Sequence, residues 1–150
     1  IGGSIFTGDA GQGVDGLDVT TTVAEVHASY NYQGFKLRGL YAVNEVDGAE
    51  DVAVKHDETA AGEGFGYYLN ASYDITDQFT PFVRYEVYNQ YDVKYDQDGI
   101  KSSDGDVTDI SFGLNYKPAE NVVLKANYVI GETANGEDNN RIELGTGYAF

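Results

Sequence analysis

The feature that most constrains this chain is an alternation of apolar and polar residues with a period of two. It recurs in segments of about ten residues, a length that matches a tilted strand crossing a bilayer. In the last segment Ile142, Leu144 and Tyr148 form one row, whereas Arg141 and Glu143 form the other. Because successive side chains of a β-strand point to opposite faces, the pattern predicts strands whose two faces meet unlike surroundings. The whole chain, residues 1–150, is predicted to be one all-β, antiparallel domain of about eight strands.

Long and short connections alternate strictly between these segments. The short ones are Gln33–Gly34, Thr76–Gln78 and Lys117–Asn121. Outer-membrane barrels have short turns at one end and longer loops at the other. The sequence therefore predicts a transmembrane β-barrel in a bacterial outer membrane. The predicted long loops are Gly8–Thr20, Glu45–Glu63, Asn89–Asp106 and Glu132–Asn140.

Aromatic residues gather toward both ends of the predicted strands, in the row that carries no charge. Tyrosine is favoured at the two membrane–water interfaces, so this distribution predicts two aromatic girdles around an aliphatic band. A soluble β-sandwich would need a second sheet to cover the same row, which makes it the weaker interpretation. The predicted girdle residues are Tyr30, Tyr32, Phe35, Tyr41, Tyr73, Tyr85, Tyr116, Tyr128, Tyr148 and Phe150.

Composition excludes several classes of function. The net charge of −16 disfavours nucleic acid as a partner, because few cations are available to neutralise phosphates. The chain has no Cys, and hence no thiol nucleophile or thiolate metal site. His27 and His56 lack the partners of a zinc site, and no Ser-His-Asp arrangement stands on a plausible scaffold. The sequence predicts a protein that is not an enzyme and has no metal or cofactor.

Charged residues of the strands fall almost entirely in the second row, which is predicted to face the barrel interior. Five are basic and five acidic, and His27 shares their face. The basic ones could form a stripe that guides anions, or they could pair with the acids in a network that stiffens the wall. The predicted pore-lining residues are Glu25, His27, Lys36, Arg38, Asp74, Arg84, Glu86, Asp109, Lys125, Arg141 and Glu143.

Five stretches together resemble the outer-membrane porin family that includes the phosphate-selective porins. They are Phe35–Ala42, Phe79–Glu86, Gly113–Pro118, Asn121–Tyr128 and Leu144–Phe150. The resemblance matches the C-terminal half of that family, whose members are sixteen-stranded and usually trimeric. It implies a homotrimeric, water-filled channel to which this chain contributes about half of the wall, beginning partway through a longer protein. With nine basic residues and a balanced inner row, phosphate selectivity is not expected.

The predicted function is passive diffusion of small hydrophilic solutes or ions through an outer-membrane porin. Its partners would be membrane lipid, lipopolysaccharide and the solutes themselves. The alternative is a stand-alone eight-stranded barrel whose filled interior conducts little and which acts in adhesion, ligand binding or membrane anchoring. Loop-bound calcium is a minor alternative to a flexible Gly-Asp loop at Asp96–Gly99 and Ser103–Asp106, because the full spacing of a calcium loop is lacking.

Overall fold

The structure is a computed structural model, and it describes residues 1–10 and 16–149. The described chain contains one helix and nine strands, of which one has only two residues. Eight long strands are thus present, as the alternation predicts. The elements are β1 (Gly2–Asp9), β2 (Thr20–Tyr32), β3 (Phe35–Asp47), α1 (Ala49–His56), β4 (Ala60–Tyr73), β5 (Phe79–Tyr95), β6 (Lys101–Ser102), β7 (Val107–Ala119), β8 (Val122–Glu132) and β9 (Arg141–Tyr148).

All strands belong to one antiparallel sheet, which confirms the predicted fold class. The order across the sheet is β1-β2-β3-β4-β5-β7-β8-β9, and the short β6 extends the sheet beside β5. Within the described residues, β1 and β9 form its two edges and are not paired with each other. A sheet that remains open after eight long strands is consistent with part of the wall of a larger barrel.

The register places apolar residues on one face of the sheet and polar residues on the other. Residues paired across all the strands form rows, and successive rows lie on alternate faces. Residues directly opposite each other in neighbouring strands share a face. One row is wholly apolar, and the adjacent row on the other face is polar except for Val129. The apolar row is Tyr30, Leu37, Ala71, Val83, Phe112, Tyr128 and Ile142; the polar row is Ser29, Arg38, Asn70, Arg84, Ser111, Val129 and Arg141.

The apolar face is exposed along most of the sheet. Leu144 is 80% exposed, Ile142 74% and Leu69 52%. Such a continuous apolar surface is rare on soluble proteins and marks contact with protein or membrane. Within residues 1–10 and 16–149, no helix has the length and apolarity needed to cross a lipid bilayer.

The short turns predicted at Gln33–Gly34 and Thr76–Gln78 lie between the expected strands, whereas the turn predicted at Lys117–Asn121 is shorter, because β7 continues to Ala119. Gln33 and Gly34 connect β2 to β3 with φ angles of 47° and 82°. Two successive positive φ values define a type I′ turn, whose twist matches that of the strands it joins. The β4–β5 turn is held by the Thr76 hydroxyl, which accepts hydrogen bonds from the backbone N–H groups of Gln78 and Phe79.

The long connections are more ordered than the sequence suggests. The predicted loop Glu45–Glu63 contains α1, whose Ala49 and Ala53 are buried. The predicted loop Asn89–Asp106 is largely a continuation of β5 with β6. These two interpretations were wrong about local structure: α1 buries Ala49 and Ala53 in the first connection, and in the second β5 keeps pairing with β4 and β6 as far as Tyr95.

Three long connections meet at one end of the sheet. Ala10 donates a backbone hydrogen bond to the Val19 carbonyl, and Gly48 lies so close to Asp18 that a Cβ there would be 2.4 Å from its carbonyl oxygen. Helix α1 lies against β4 and β5. Four apolar residues at this end, which we call the loop core, are all less than 9% exposed: Val19 before β2, Ala49 and Ala53 of α1, and Val93 near the end of β5.

Candidate functional site

A cavity of about 810 Å³ opens on the polar face of the sheet. Strands β3, β4, β5, β7, β8 and β9 line it, so it follows most of the width of the sheet. Eight of the eleven residues predicted to line a pore border this cavity: Lys36, Arg38, Arg84, Glu86, Asp109, Lys125, Arg141 and Glu143.

The other three predicted residues lie elsewhere. Glu25 and His27 are on β2, on the same face by register but outside the cavity lining. Asp74 lies in the turn after β4. A pore-lining role for all eleven residues stays a prediction. Their position beside the cavity does not show that solutes pass there.

The lining of the cavity is more basic than the sequence predicts. Two acidic residues of the predicted inner row, Glu25 and Asp74, lie outside it, whereas Lys117, expected in a turn, borders it. A register shift between Tyr116 and Ala119 keeps Lys117 within β7. The lining contains six basic residues, Lys36, Arg38, Arg84, Lys117, Lys125 and Arg141, and three acidic ones, Glu86, Asp109 and Glu143.

This distribution contrasts with the charge of the chain. Six of the nine Lys and Arg residues border the cavity, but only three of the 25 Asp and Glu residues do. The surplus of negative charge therefore lies in the loops, turns and other surfaces. An excess of basic residues along one wall creates a local positive potential that the net charge of the protein does not reveal.

Arg84 is held at the middle of the wall by two contacts. Its Nη2 donates to Oε2 of Glu86 at 2.6 Å, and its guanidinium lies 4.0 Å from the centre of the Tyr68 ring. The face of a guanidinium stacks well on an aromatic ring. Among the described residues, Nε of Arg84 is buried without a hydrogen-bond partner. The ring contact and the ion pair together restrict the conformation of the Arg84 side chain.

Arg141 joins three strands at the loop end of the cavity. From β9 its Nη2 donates to Oδ2 of Asp109 on β7 at 2.7 Å, and its Nε donates to Oε1 of Glu143 at 2.7 Å. Asn127 on β8 donates to the other oxygen of Glu143 at 3.0 Å. The carboxylate of Asp109 is nearly buried, with 9% of its side chain exposed. A charge buried this far requires its partner, so the group acts as a clamp.

Glycine makes this clamp possible. Gly131 of β8 stands between Asp109 and Arg141, and a Cβ at Gly131 would lie 2.6 Å from Oδ1 of Asp109. Gly113 likewise leaves room for a neighbouring aromatic ring. A Cβ there would lie 2.4 Å from the ring of Phe82, which crosses onto the next strand.

A second ion pair lies at the short-turn end. Lys36 donates to Oδ2 of Asp74 at 2.6 Å, and the Thr80 hydroxyl donates to Oδ1 at 2.8 Å. The ammonium group of Lys36 is the main cause, and the Thr80 hydroxyl a lesser one, of a pKa of Asp74 that is held below its ordinary value. On β2, His27 Nδ1 lies 2.9 Å from Oε2 of Glu25. Much of the predicted pairing network therefore exists.

Three cations of the cavity stand outside that network. In residues 1–10 and 16–149 no carboxylate lies within ion-pairing distance of Arg38, Lys117 or Lys125. All three side chains are exposed. They present the cationic groups of the lining that are most available to a solute.

The predicted girdle residues occupy the apolar face, apart from Phe150, which lies outside the described residues. Tyr41 and Tyr67 stack with ring centres 6.5 Å apart, and Tyr67 lies 6.3 Å from Tyr85. At the other end, Phe79 and Tyr116 stack at 4.7 Å. Each cluster joins two or three neighbouring strands, in the offset geometries that aromatic rings prefer. A girdle role stays a prediction.

The described residues contain no group of three or more His, Cys, Asp or Glu arranged to hold a metal ion. In the stretch considered for calcium, Oδ1 of Asp96 accepts hydrogen bonds from the backbone N–H groups of Asp98 and Ile100. Asp104 binds Nζ of Lys94 at 2.5 Å. These carboxylates stabilise a hairpin, which gives both aspartates a structural role.

An antiparallel sheet with one apolar face, one charged face and two ends of unequal loop length defines a β-barrel protein of the outer-membrane type. The comparisons with known proteins agree. A family model described as "Putative beta-barrel porin-2, OmpL-like" matches residues 4–149, and the chain belongs to that family. Membership in the phosphate-selective group is not part of that match.

A solved structure of the trimer form of OmpT, an outer membrane protein of Vibrio cholerae folded in vitro, has a similar fold. The TM-score is 0.57 at 18% sequence identity, and the match covers 88% of this chain and 42% of OmpT. This chain therefore spans less than half the length of that protein. No curated protein matched the sequence.

Proposed function

We propose that this chain forms part of the wall of a bacterial outer-membrane channel through which small hydrophilic solutes or ions diffuse passively. The observation that carries the proposal is the segregation of the two faces: an exposed apolar face lies behind a charged cavity of about 810 Å³. Lipid and lipopolysaccharide would contact the apolar face. Ion pairs such as Arg84–Glu86 would hold the wall in shape, and transport would require no chemistry.

Closure of the barrel is the second element of the proposal. The sheet has two open edges, at β1 and β9, and the chain covers 42% of the OmpT chain. Further strands beside these edges would complete a barrel of about sixteen strands, wide enough for water. The trimer form of OmpT supports a homotrimer as the assembly.

Conductance and mass together test this proposal. The protein would be extracted from its native membrane in detergent, weighed intact and inserted into planar bilayers. Large open steps from a protein with about twice this mass or more are expected. A protein of about 16.3 kDa with negligible conductance would instead establish the small, filled barrel.

A further inference from the structure

Three arginines lie at one level of the cavity wall. Arg38, Arg84 and Arg141 belong to the single polar row defined above, on β3, β5 and β9. Neighbouring strands are about 4.8 Å apart, so the Cα atoms of Arg38 and Arg84 are separated by roughly 10 Å. Asn70 lies between them on β4.

The three arginines are not equally available. Arg141 binds two carboxylates, and Arg84 is paired with Glu86 and stacked on Tyr68. Arg38 is exposed and has no ion pair within the described chain. A solute that enters the cavity therefore meets one free guanidinium, beside an amide and close to a second, fixed cation.

We propose that Arg38, together with Asn70, binds small oxyanions on the cavity wall. A guanidinium offers two parallel N–H donors that match the two oxygens of a carboxylate or phosphoryl group. The side-chain amide of Asn70 can supply a further donor. Arg84, held by Glu86 and Tyr68, does not compete for the same oxyanion. The excess of six basic over three acidic lining residues favours an anion over a cation at this site.

The inference rests on the proposed function in one respect, namely that solutes reach the cavity from water. It is tested by a measurement that does not depend on conduction. Succinate is titrated by calorimetry into the complete, detergent-purified protein at low salt. Replacing Arg38→Gln should weaken succinate binding about tenfold or more, the effect of losing charge-assisted hydrogen bonds.

Three further variants make the result specific. Arg38→Lys keeps the positive charge but loses the two parallel N–H donors of the guanidinium. It should weaken binding by less than Arg38→Gln does. Lys125→Gln removes another unpaired cation of the lining, about four strands away, and should change affinity by less than about twofold. Lys101→Gln removes a cation from β6, outside the cavity lining, and should have no effect.

Binding that is absent in the wild type, or equally strong in Arg38→Gln, would overturn the inference. If Arg38→Gln does not fold, unchanged succinate binding by a folded Arg38→Lys variant would overturn the role of the paired N–H donors of Arg38. Planar-bilayer conductance on the same samples separates the two proposals. Conduction without succinate binding would refute only the oxyanion site. Succinate binding without conduction would refute only the proposed channel function.

Discussion

At the scale of single residues, the wall depends on positions where a side chain is missing as much as on those where one is present. Gly131 lets the guanidinium of Arg141 reach Asp109 across an intervening strand. Gly113 lets the ring of Phe82 lie over β7. A wall of large inward side chains thus fits together because some of its strand residues have no Cβ.

Replacing Gly131→Ala should break the clamp. The new Cβ would lie 2.6 Å from Oδ1 of Asp109 and 2.7 Å from the carbonyl oxygen of Asn139, so β8 or the ion pair must move. We expect a loss of about 1–3 kcal/mol in the free energy of unfolding, because a nearly buried carboxylate loses its partner. Urea denaturation in detergent measures it.

Gly145→Ala is the matched control, on the neighbouring strand β9. Its Cβ would have Lys125 Cβ as its nearest neighbour, at an ordinary 3.9 Å. Unfolding free energies that are equal for the two variants would mean that the clamp does not stabilise the wall.

Asp74 should give the wall a dependence on acid pH. Its pKa is lowered mainly by Lys36, so the folded protein binds a proton there less readily than the unfolded chain does. The stabilisation is therefore full at neutral pH and is lost as pH falls below about 4, through the lowered pKa. Because both side chains are about one-third exposed, solvent screening keeps the effect small.

Urea denaturation of the wild type and Asp74→Asn, at pH values between neutral and 3, measures this effect. The difference in unfolding free energy between the two proteins should be constant near neutral pH and should shrink below pH 4. A difference that grows as the pH falls would contradict the assigned role of Lys36.

At the scale of elements, the strands and their faces could be predicted from the sequence, but the local structure of the long connections could not. The alternation around Tyr30, Tyr85 and Ile142 is strong because each face meets a different medium. The α1 segment has apolar residues at Ala49, Val52 and Ala53, which is helical spacing, but eight residues among acids give too weak a signal.

The set of residues that lines the cavity could not be predicted from the sequence either. Short turns fix the register within a hairpin, whereas the register across long loops depends on tertiary pairing. The alignment of Arg38 with Arg84 and Arg141 follows only from the sum of those pairings. The place of Lys117 depends on a register shift beside a proline, and no alternation predicts such a shift.

The β2–β3 turn offers a test at this scale. Gly34 has a φ of 82°, which costs an L-residue with a Cβ roughly 1–2 kcal/mol. Gly34→Ala should therefore lower the unfolding free energy by about that amount. Gln33→Asn should raise it slightly, since Asn tolerates the φ of 47° better than Gln. Two changes of the same sign would show that this turn does not control the hairpin.

At the scale of the whole molecule, the two faces of the sheet differ in what they should tolerate. Ala126 and Asn127 are adjacent on β8, the first on the apolar face between Leu114 and Leu144 and the second beside Glu143. A lysine facing lipid near mid-membrane costs about 2–4 kcal/mol. Ala126→Lys should therefore reduce folding into phosphatidylcholine vesicles strongly, whereas Asn127→Lys, next to a carboxylate, should fold nearly as well as the wild type.

The gel shift between folded and heat-denatured protein measures the folded fraction in both variants. Equal folding of the two would show that the apolar face does not meet lipid. The same result would also contradict the assignment of the charged face to the interior of the barrel.

The loop core has a consequence for whatever meets the protein at that end. Val19, Ala49, Ala53 and Val93 come from three segments that are far apart in the sequence, and each of them is buried. An antibody, a phage or a toxin that approaches would find one folded surface assembled from distant segments. Short synthetic peptides copied from any single connection would be poor mimics of it. A vaccine design based on this end would need to carry all three connections on a common scaffold.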